Sequence, residues 1–133
     1  MDRMTAAGPI DTVRRIVAES LARDLAEVTP ESKLVEDLGA DSLDFIDMIF
    51  TLEKEFGVKL REGEFDFLAR LDFSNPAVLK DGALAPDVVA KLRTWLPALD
   101  REPDPSRITP GRLFGLITVE TLWIVIRNKL PGS

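Results

Sequence analysis

Residues 35–44 of the chain read VEDLGADSLD, and this stretch decides how the rest of the sequence is interpreted. Gly39 has the backbone freedom that a sharp turn into a helix requires. Ser42 follows shortly after it, where apolar residues begin to recur at helical spacing. Serine at the start of a helix is ordinarily an N-cap, so the residue alone says little about chemistry. The stretch therefore predicts a loop that turns sharply into a helix beginning at about Ser42.

The predicted helix, residues 42–56, carries two separate apolar stripes. The first stripe has the spacing of a face that packs against a protein core. The second stripe lies on another face, between two aspartates, and has two explanations. Either the helix is buried on two sides, or the second stripe is an exposed apolar seam that contacts a partner. The first stripe comprises Phe45, Met48, Ile49, Leu52 and Phe56, and the second comprises Leu43, Ile46 and Phe50, interleaved with Asp44 and Asp47.

The negative charge of the chain is concentrated around this helix. The 133 residues include 17 bases and 23 acids, for a formal net charge of -6. Residues 36–56 hold seven acids and one base, Lys54, so this window alone carries the whole net charge. Concentrated negative charge predicts a docking surface for basic partners. An acidic chain without a basic patch is a poor nucleic-acid binder, so we expect no nucleic-acid partner.

The residues that the chain lacks exclude several kinds of site. It has no cysteine, which excludes disulfides, thiolate metal sites and a cysteine nucleophile. It has no histidine, which removes the commonest general base and metal ligand, so we expect no metal site and no catalytic residue. The longest apolar-rich stretch, residues 113–126, is shorter than the roughly 20 residues that span a bilayer. Residues 1–9 lack the apolar core of a signal peptide. We therefore expect a cytoplasmic protein, and we expect it to be a monomer.

The remainder of the chain reads as all-α, with no convincing strand. Apolar residues recur at helical spacing in three further segments, and Pro9 suits the first turn of the first of them. Thr118 suits the N-cap of the last. The intervening residues 61–107 are rich in turn signals and contain one further helix candidate, residues 86–96. The predicted core helices are residues 9–25, 42–56, 109–114 and 118–130.

The stretch from residue 35 to residue 44 closely resembles the signature of acyl carrier proteins. The similarity continues through the predicted helix and the Gly-Val-Lys-Leu that follows it, and back to Ile10, so it covers about the first 60 residues. In that family the serine corresponding to Ser42 is esterified with 4'-phosphopantetheine, which a separate transferase takes from coenzyme A. The thiol of the arm then holds acyl groups as thioesters. The resemblance implies that Ser42 is the attachment residue of a phosphoprotein, with Asp41 and Leu43 beside it.

The same resemblance implies which partners the chain meets. Members of the family offer the helix after the serine to basic patches on acyl synthases and acyltransferases, besides the phosphopantetheinyl transferase. Lys54 stands where the common pattern has another acid, which leaves the partners of the housekeeping fatty-acid pathway in question. The matching docking acids are Asp44, Asp47 and Glu53, and the matching apolar contacts are Leu43, Ile46 and Phe50.

The resemblance further implies one acyl-carrier-like four-helix domain over residues 1–133. Residues 61–107 then form a large, partly helical insertion between the second and third helices. We expect the insertion to pack on the bundle, where it extends the apolar space for an acyl chain, makes a surface for one dedicated enzyme, or only enlarges the core.

The expected function is that of an acyl carrier serving fatty-acid, lipid or secondary-metabolite enzymes, and not that of an enzyme. The alternative within the same chemistry is a peptidyl or aminoacyl carrier. An acidic helical adaptor, in which Ser42 is only a cap, is an alternative of another class. A small enzyme that uses carboxylates is a third, and no pair of acids is positioned for it.

Overall fold

The computed structural model describes residues 3–104 and 107–130 and contains six α-helices within those ranges. Short 3-10 turns lie at Leu25–Glu27, Pro97–Arg101 and Phe114–Leu116. The expectation of an all-α fold is confirmed. The helices are α1 (Arg3–Ser20), α2 (Ser42–Phe56), α3 (Glu64–Ala69), α4 (Pro86–Arg93), α5 (Pro110–Leu113) and α6 (Val119–Lys129).

The first helix begins and ends earlier than the sequence predicted. We expected residues 9–25 with Pro9 in the first turn, but α1 has Pro9 inside it. The helix begins earlier because the residues before Pro9 include good helix formers, an arginine, a methionine and two alanines. It ends earlier because Ala22 adopts a left-handed conformation, with φ at 54°. The Arg23 N–H then bonds the Ala18 carbonyl at 2.9 Å, which is typical of a helix end closed by a left-handed residue.

The second helix, α2, has the predicted bounds at both ends. Its core stripe lies against the interior, with Met48, Ile49 and Leu52 buried. Gly57 ends it in a left-handed conformation, with φ at 67°, and its N–H donates to the Glu53 carbonyl at 2.8 Å. Glycine suits this position because it adopts positive φ without steric cost.

A two-residue hairpin contradicts the expectation that the chain contains no strand. Strand β1 (Leu79–Lys80) pairs antiparallel with β2 (Ala83–Leu84). Asp81 and Gly82 connect them, and both have positive φ, at 56° and 81°. This is the pattern of a type I′ turn, which Asp-Gly favours. The turn signal was present in the sequence, but strands of two residues are too short to show an alternating pattern.

The segment expected to be an insertion shares the core of the bundle. Its buried residues form one hydrophobic cluster with those of α1, α2 and α6. Phe65 of α3 packs edge-on against Phe45 of α2, with ring centroids 5.6 Å apart, and against Trp95, at 5.7 Å. The helix candidate over residues 86–96 ends at Arg93 and is followed by a turn. The segment therefore packs on the bundle, as expected.

The last helix begins where the sequence predicted and fixes the long loop before α2. Thr118 is its N-cap, and the Thr118 hydroxyl oxygen accepts from the Thr121 N–H at 3.1 Å. Lys33, within the loop of residues 21–41, forms an isolated antiparallel bridge with Thr118. The Leu34 N–H donates to the Ile117 carbonyl at 3.0 Å. The approach to Ser42 is thus hydrogen-bonded to the start of α6.

Candidate functional site

Ser42 is the first residue of α2 and is exposed, but it does not cap the helix. The N-cap is Asp41, whose Oδ1 accepts from the Asp44 N–H at 2.8 Å. In return, Asp44 Oδ2 accepts from the Asp41 N–H at 3.1 Å, which completes a capping box. The Ser42 hydroxyl forms no hydrogen bond with any residue that the structure describes. The interpretation of Ser42 as a helix cap, on which the adaptor alternative depended, is therefore wrong.

The first turn of α2 leaves amide groups free beside this hydroxyl. Within the described ranges, the N–H groups of Ser42 and Leu43 have no acceptor. Unpaired amides and the helix dipole favour an anion at a helix N-terminus. The dipole contributes of order 0.3–1 kcal/mol at an exposed position. An exposed hydroxyl with two free amides beside it fits a phosphodiester formed on Ser42.

The second apolar stripe of α2 is exposed, which decides between its two explanations. Leu43 is 71% exposed, Ile46 47% and Phe50 46%, so burial on two sides is wrong. Asp47 is exposed on the same side of the helix, whereas the Asp44 carboxylate is held in the capping box. The sequence-predicted docking residues thus form an apolar seam with acids beside its N-terminal half.

Glu53 differs from the other predicted docking acids because it is already paired. Its side chain is only 11% exposed. Its Oε2 accepts from the backbone N–H of Arg61 at 3.1 Å and from Arg61 Nε at 3.2 Å. The Arg61 guanidinium lies over the Phe50 ring, 4.7 Å from its centroid. We call Glu53, Arg61 and Phe50 the Arg61 clasp.

The Arg61 clasp brings to α2 a residue that sequence reasoning did not single out. Arg61 follows Glu53 by eight residues, beyond the end of the helix, so no helical period connects the two. The only available signal was the proximity of a base to the end of an acidic helix. Lys54, on the same part of α2, is exposed, and its side chain has no hydrogen bond or ion pair with a described residue.

A small apolar pocket lies beneath the seam. Its volume is about 110 Å³, somewhat less than the ~150 Å³ of a cavity that holds benzene. A larger, open groove of about 760 Å³ lies beside the hairpin and α4 and includes none of the predicted site residues. The small pocket is lined by Phe45, Ile46, Ile49, Phe50, Arg61 and Phe65.

An ion network holds the loop that leads to Ser42. Arg112 of α5 bonds Glu36 in that loop, and its Nη2 lies 2.8 Å from Glu102 Oε2. The hydrogen bond to Glu102 raises the pKa of Arg112. Burial acts to raise the pKa of Glu36, but the Arg112 hydrogen bond and the nearby Lys33 outweigh it, and the pKa lies below its ordinary value. The lowered pKa keeps Glu36 ionised, and its bond to Arg112 holds the loop close to α5.

The described residues contain neither a metal-binding cluster nor a membrane-spanning helix. Within residues 3–104 and 107–130, no group of three or more acids is arranged to hold a metal ion. In the same ranges, no helix is both long and apolar enough to cross a bilayer.

Comparison with known proteins assigns this arrangement to a family. A family model described as "Phosphopantetheine attachment site" matches residues 11–72, which include Ser42. The acyl carrier protein of Thermotoga maritima is 46% identical over 54 residues, which are 41% of this chain and 67% of that protein. The chain belongs to the acyl carrier protein family. The resemblance noted in the sequence is thereby confirmed, as is phosphopantetheine as the cofactor of the family.

Other relatives within the acyl carrier protein family come from rhizobia. The protein named "Acyl carrier protein AcpXL" from Rhizobium etli is 51% identical over 57 residues, and that from Mesorhizobium japonicum is 48% identical over 50. These segments are 43% and 38% of this chain. They span 60% and 54% of the two relatives, so this chain matches little more than half of their length.

Proposed function

We propose that this chain carries acyl groups as thioesters on a 4'-phosphopantetheine arm attached to Ser42. One observation carries the proposal. The Ser42 hydroxyl is exposed at the start of a helix and has no structural role, because Asp41 provides the cap. In a serine that serves only as a cap, the hydroxyl oxygen would accept a hydrogen bond from a backbone N–H.

The chain's own part in the chemistry is to present one oxygen. The Ser42 oxygen forms the new bond to the pantetheine-bearing phosphorus of coenzyme A as the bond from that phosphorus to the nucleotide's phosphate breaks. Adenosine 3',5'-bisphosphate leaves, and the serine proton passes to the modifying transferase. The free amides of Ser42 and Leu43 stabilise the negative charge that the ester brings. When bound, the phosphopantetheine supplies the thiol that holds the acyl group. No described residue of the chain is placed as a catalyst, and we propose a carrier without enzymatic activity of its own.

The surroundings of Ser42 support two kinds of partner. Asp44 and Asp47 lie in the first and second turns of α2, beside the exposed seam. We propose that a phosphopantetheinyl transferase, and then acyl synthases or acyltransferases, dock here with basic patches in the cytoplasm. Surface charge of this kind sets association rate and partner choice more than affinity.

The segment that follows α2 has a structural role that its burial supports directly. Leu92 and Leu96 are fully buried in the common core, so the segment enlarges that core. The family match continues to residue 72, beyond the point where we expected the insertion to begin. We therefore propose that the added part is residues 73–107. Phe65, which precedes it, lines the small apolar pocket, and we propose that this pocket receives part of the acyl chain.

The site does not distinguish a peptidyl or aminoacyl carrier from an acyl carrier, but it disfavours the adaptor. No feature of the described residues favours a peptidyl or aminoacyl carrier over an acyl carrier. The adaptor without a prosthetic group is disfavoured, because it leaves the exposed, unbonded hydroxyl of Ser42 without a role.

The test is the intact mass of the folded chain after incubation with coenzyme A and a broad-specificity phosphopantetheinyl transferase. We expect the addition of one phosphopantetheine to the wild-type chain and to the control Ser20→Ala, and none to Ser42→Ala. If several such transferases leave the folded wild-type chain unmodified, or modify a serine other than Ser42, the carrier assignment is wrong.

A further inference from the structure

The exposed face of α2 carries opposite charges at its two ends. Near Ser42 the charged groups are Asp41, Asp44 and Asp47, three acids and no base. Toward the other end the charged groups are Glu53, Lys54, Glu55 and Arg61, two acids and two bases. Glu53 is paired with Arg61, and Glu55 lies about 100° from Lys54 around the helix, away from the seam, so the bases are the charges beside the seam. A partner that lies along the seam therefore meets negative charge first and a positive end second.

The change of sign occurs on one face and over a short distance. Residues four apart on a helix are neighbours, so Ile46, Phe50 and Lys54 share a face. With a rise of 1.5 Å per residue, Asp47 and Lys54 are separated by about 10 Å along the axis. The Debye length at physiological ionic strength is about 8 Å. The charges at the two ends of α2 are therefore largely screened from each other, and a partner interacts with each end separately.

The Arg61 clasp fixes the positive end in place. Glu53 is largely buried by Arg61, so its charge is not available to a basic partner. Arg61 itself remains 65% exposed. Only its backbone N–H and Nε bond Glu53, and its two terminal amino groups have no partner among the described residues. Such a guanidinium, held in position with donors free, is suited to bind a carboxylate through two hydrogen bonds.

We propose that the enzyme that exchanges acyl groups with this chain has a docking surface of mixed charge. It presents basic side chains to the acids near Ser42, an apolar side chain to Phe50, and a carboxylate to Lys54 and Arg61. The inference rests on the proposed function, since it takes Ser42 to be presented to such an enzyme. An entirely basic docking patch would face Lys54 and Arg61 as like charges, which disfavours that partner.

The test uses the acyl-loaded, phosphopantetheine-bearing chain with each purified acyltransferase and condensing enzyme from its source genome. The enzyme with the highest kcat/KM is then measured with Lys54→Glu, Arg61→Gln and the control Lys80→Glu, which lies in the hairpin. We expect Lys54→Glu to lower kcat/KM by about tenfold at low salt, and Arg61→Gln to lower it by less. The control should match the wild type. Lys54 is exposed, and its side chain has no hydrogen bond or ion pair with a described residue, so its substitution reports on docking.

Two outcomes overturn the proposal. If Lys54→Glu leaves kcat/KM unchanged or raises it, the partner presents no carboxylate at this end of α2. If the chain dimerises in sedimentation experiments and Lys54→Glu makes it monomeric, the face is covered by a second copy. Failure to attach phosphopantetheine to the wild-type chain is a separate result, and it counts against the proposed function alone.

Discussion

Removing the Asp41 carboxylate tests whether the capping box holds the helix that presents Ser42. Asp41→Ala deletes the oxygen that accepts from the Asp44 N–H at 2.8 Å. Loss of an N-cap acceptor costs about 0.5–2 kcal/mol. Loss of a negative charge from a helix N-terminus adds roughly 0.3–1 kcal/mol, at the low end because Asp41 is exposed. We therefore expect the free energy of unfolding to fall by about 1–2 kcal/mol.

Asp41→Asn is the matched control for this substitution. Asparagine caps a helix about as well as aspartate, so Asp41→Asn removes the charge and retains the acceptor. We expect it to cost about 0.5 kcal/mol. Urea unfolding followed by far-UV circular dichroism measures both variants, with the dependence on urea unchanged because the core is untouched. Phosphopantetheine attachment to Asp41→Ala should slow at temperatures where its helix start frays.

Three results would refute the assignment of the cap. Asp41→Ala could prove as stable as the wild type, or Asp41→Asn could lose as much stability as Asp41→Ala. Ser42→Ala could also destabilise the chain as much as Asp41→Ala does. The last result would return the capping role to Ser42 and would remove the observation on which the proposed function rests.

Three other substitutions test the loop, the end of α2 and the core. Glu36→Gln, which removes the Glu36 charge and leaves the Arg112–Glu102 pair in place, should cost no more than about 1 kcal/mol of stability, because Glu36 and Arg112 are each more than a third exposed. The pKa of Glu36 is lowered by folding, so this stability is fully present above its ordinary pKa of 4.5 and is lost as the pH falls through the lower, folded value. The unfolding curves of the wild type and Glu36→Gln should converge on acidification, and a constant difference down to low pH would contradict the network. Gly57→Ala should cost about 1–2 kcal/mol by thermal unfolding, since φ is 67° and no side chain of the described residues crowds the site, and an unchanged melting temperature would contradict the strain. Leu92→Ala should cost about 2–5 kcal/mol in urea, and a cost below 1 kcal/mol would show that residues 73–107 are not part of the core.

The bounds of α2 could be predicted because their causes lie in adjacent residues. The helix begins after an aspartate that can cap it and ends at Gly57, which adopts a left-handed conformation. The same local logic placed Thr118 at the start of α6. Ser42 was found through the resemblance of its neighbours to a family signature, since a serine at a helix start is weak evidence by itself.

The features that escaped prediction depend on contacts between distant residues or on rare backbone conformations. The end of α1 depends on Ala22 adopting positive φ, which alanine seldom does. The pairing of Glu53 with Arg61 depends on the path of the chain after α2, which no periodicity encodes. Whether the seam of α2 is exposed depends on which other elements pack against that face, and this is known only from the folded structure.

Lys33 pairs with Thr118 in the folded chain, although the ribosome adds Lys33 long before Thr118. About 85 residues lie between the two partners, and ribosomes add about 5–20 residues per second. Several seconds therefore pass between the synthesis of the loop before Ser42 and that of the segment to which it is hydrogen-bonded. During that time the serine already exists, but the loop has nothing to pair with. A transferase that acts during translation would bind Ser42 while the loop before it is still free to move. A transferase that acts after translation would bind Ser42 after that loop is hydrogen-bonded to the start of α6.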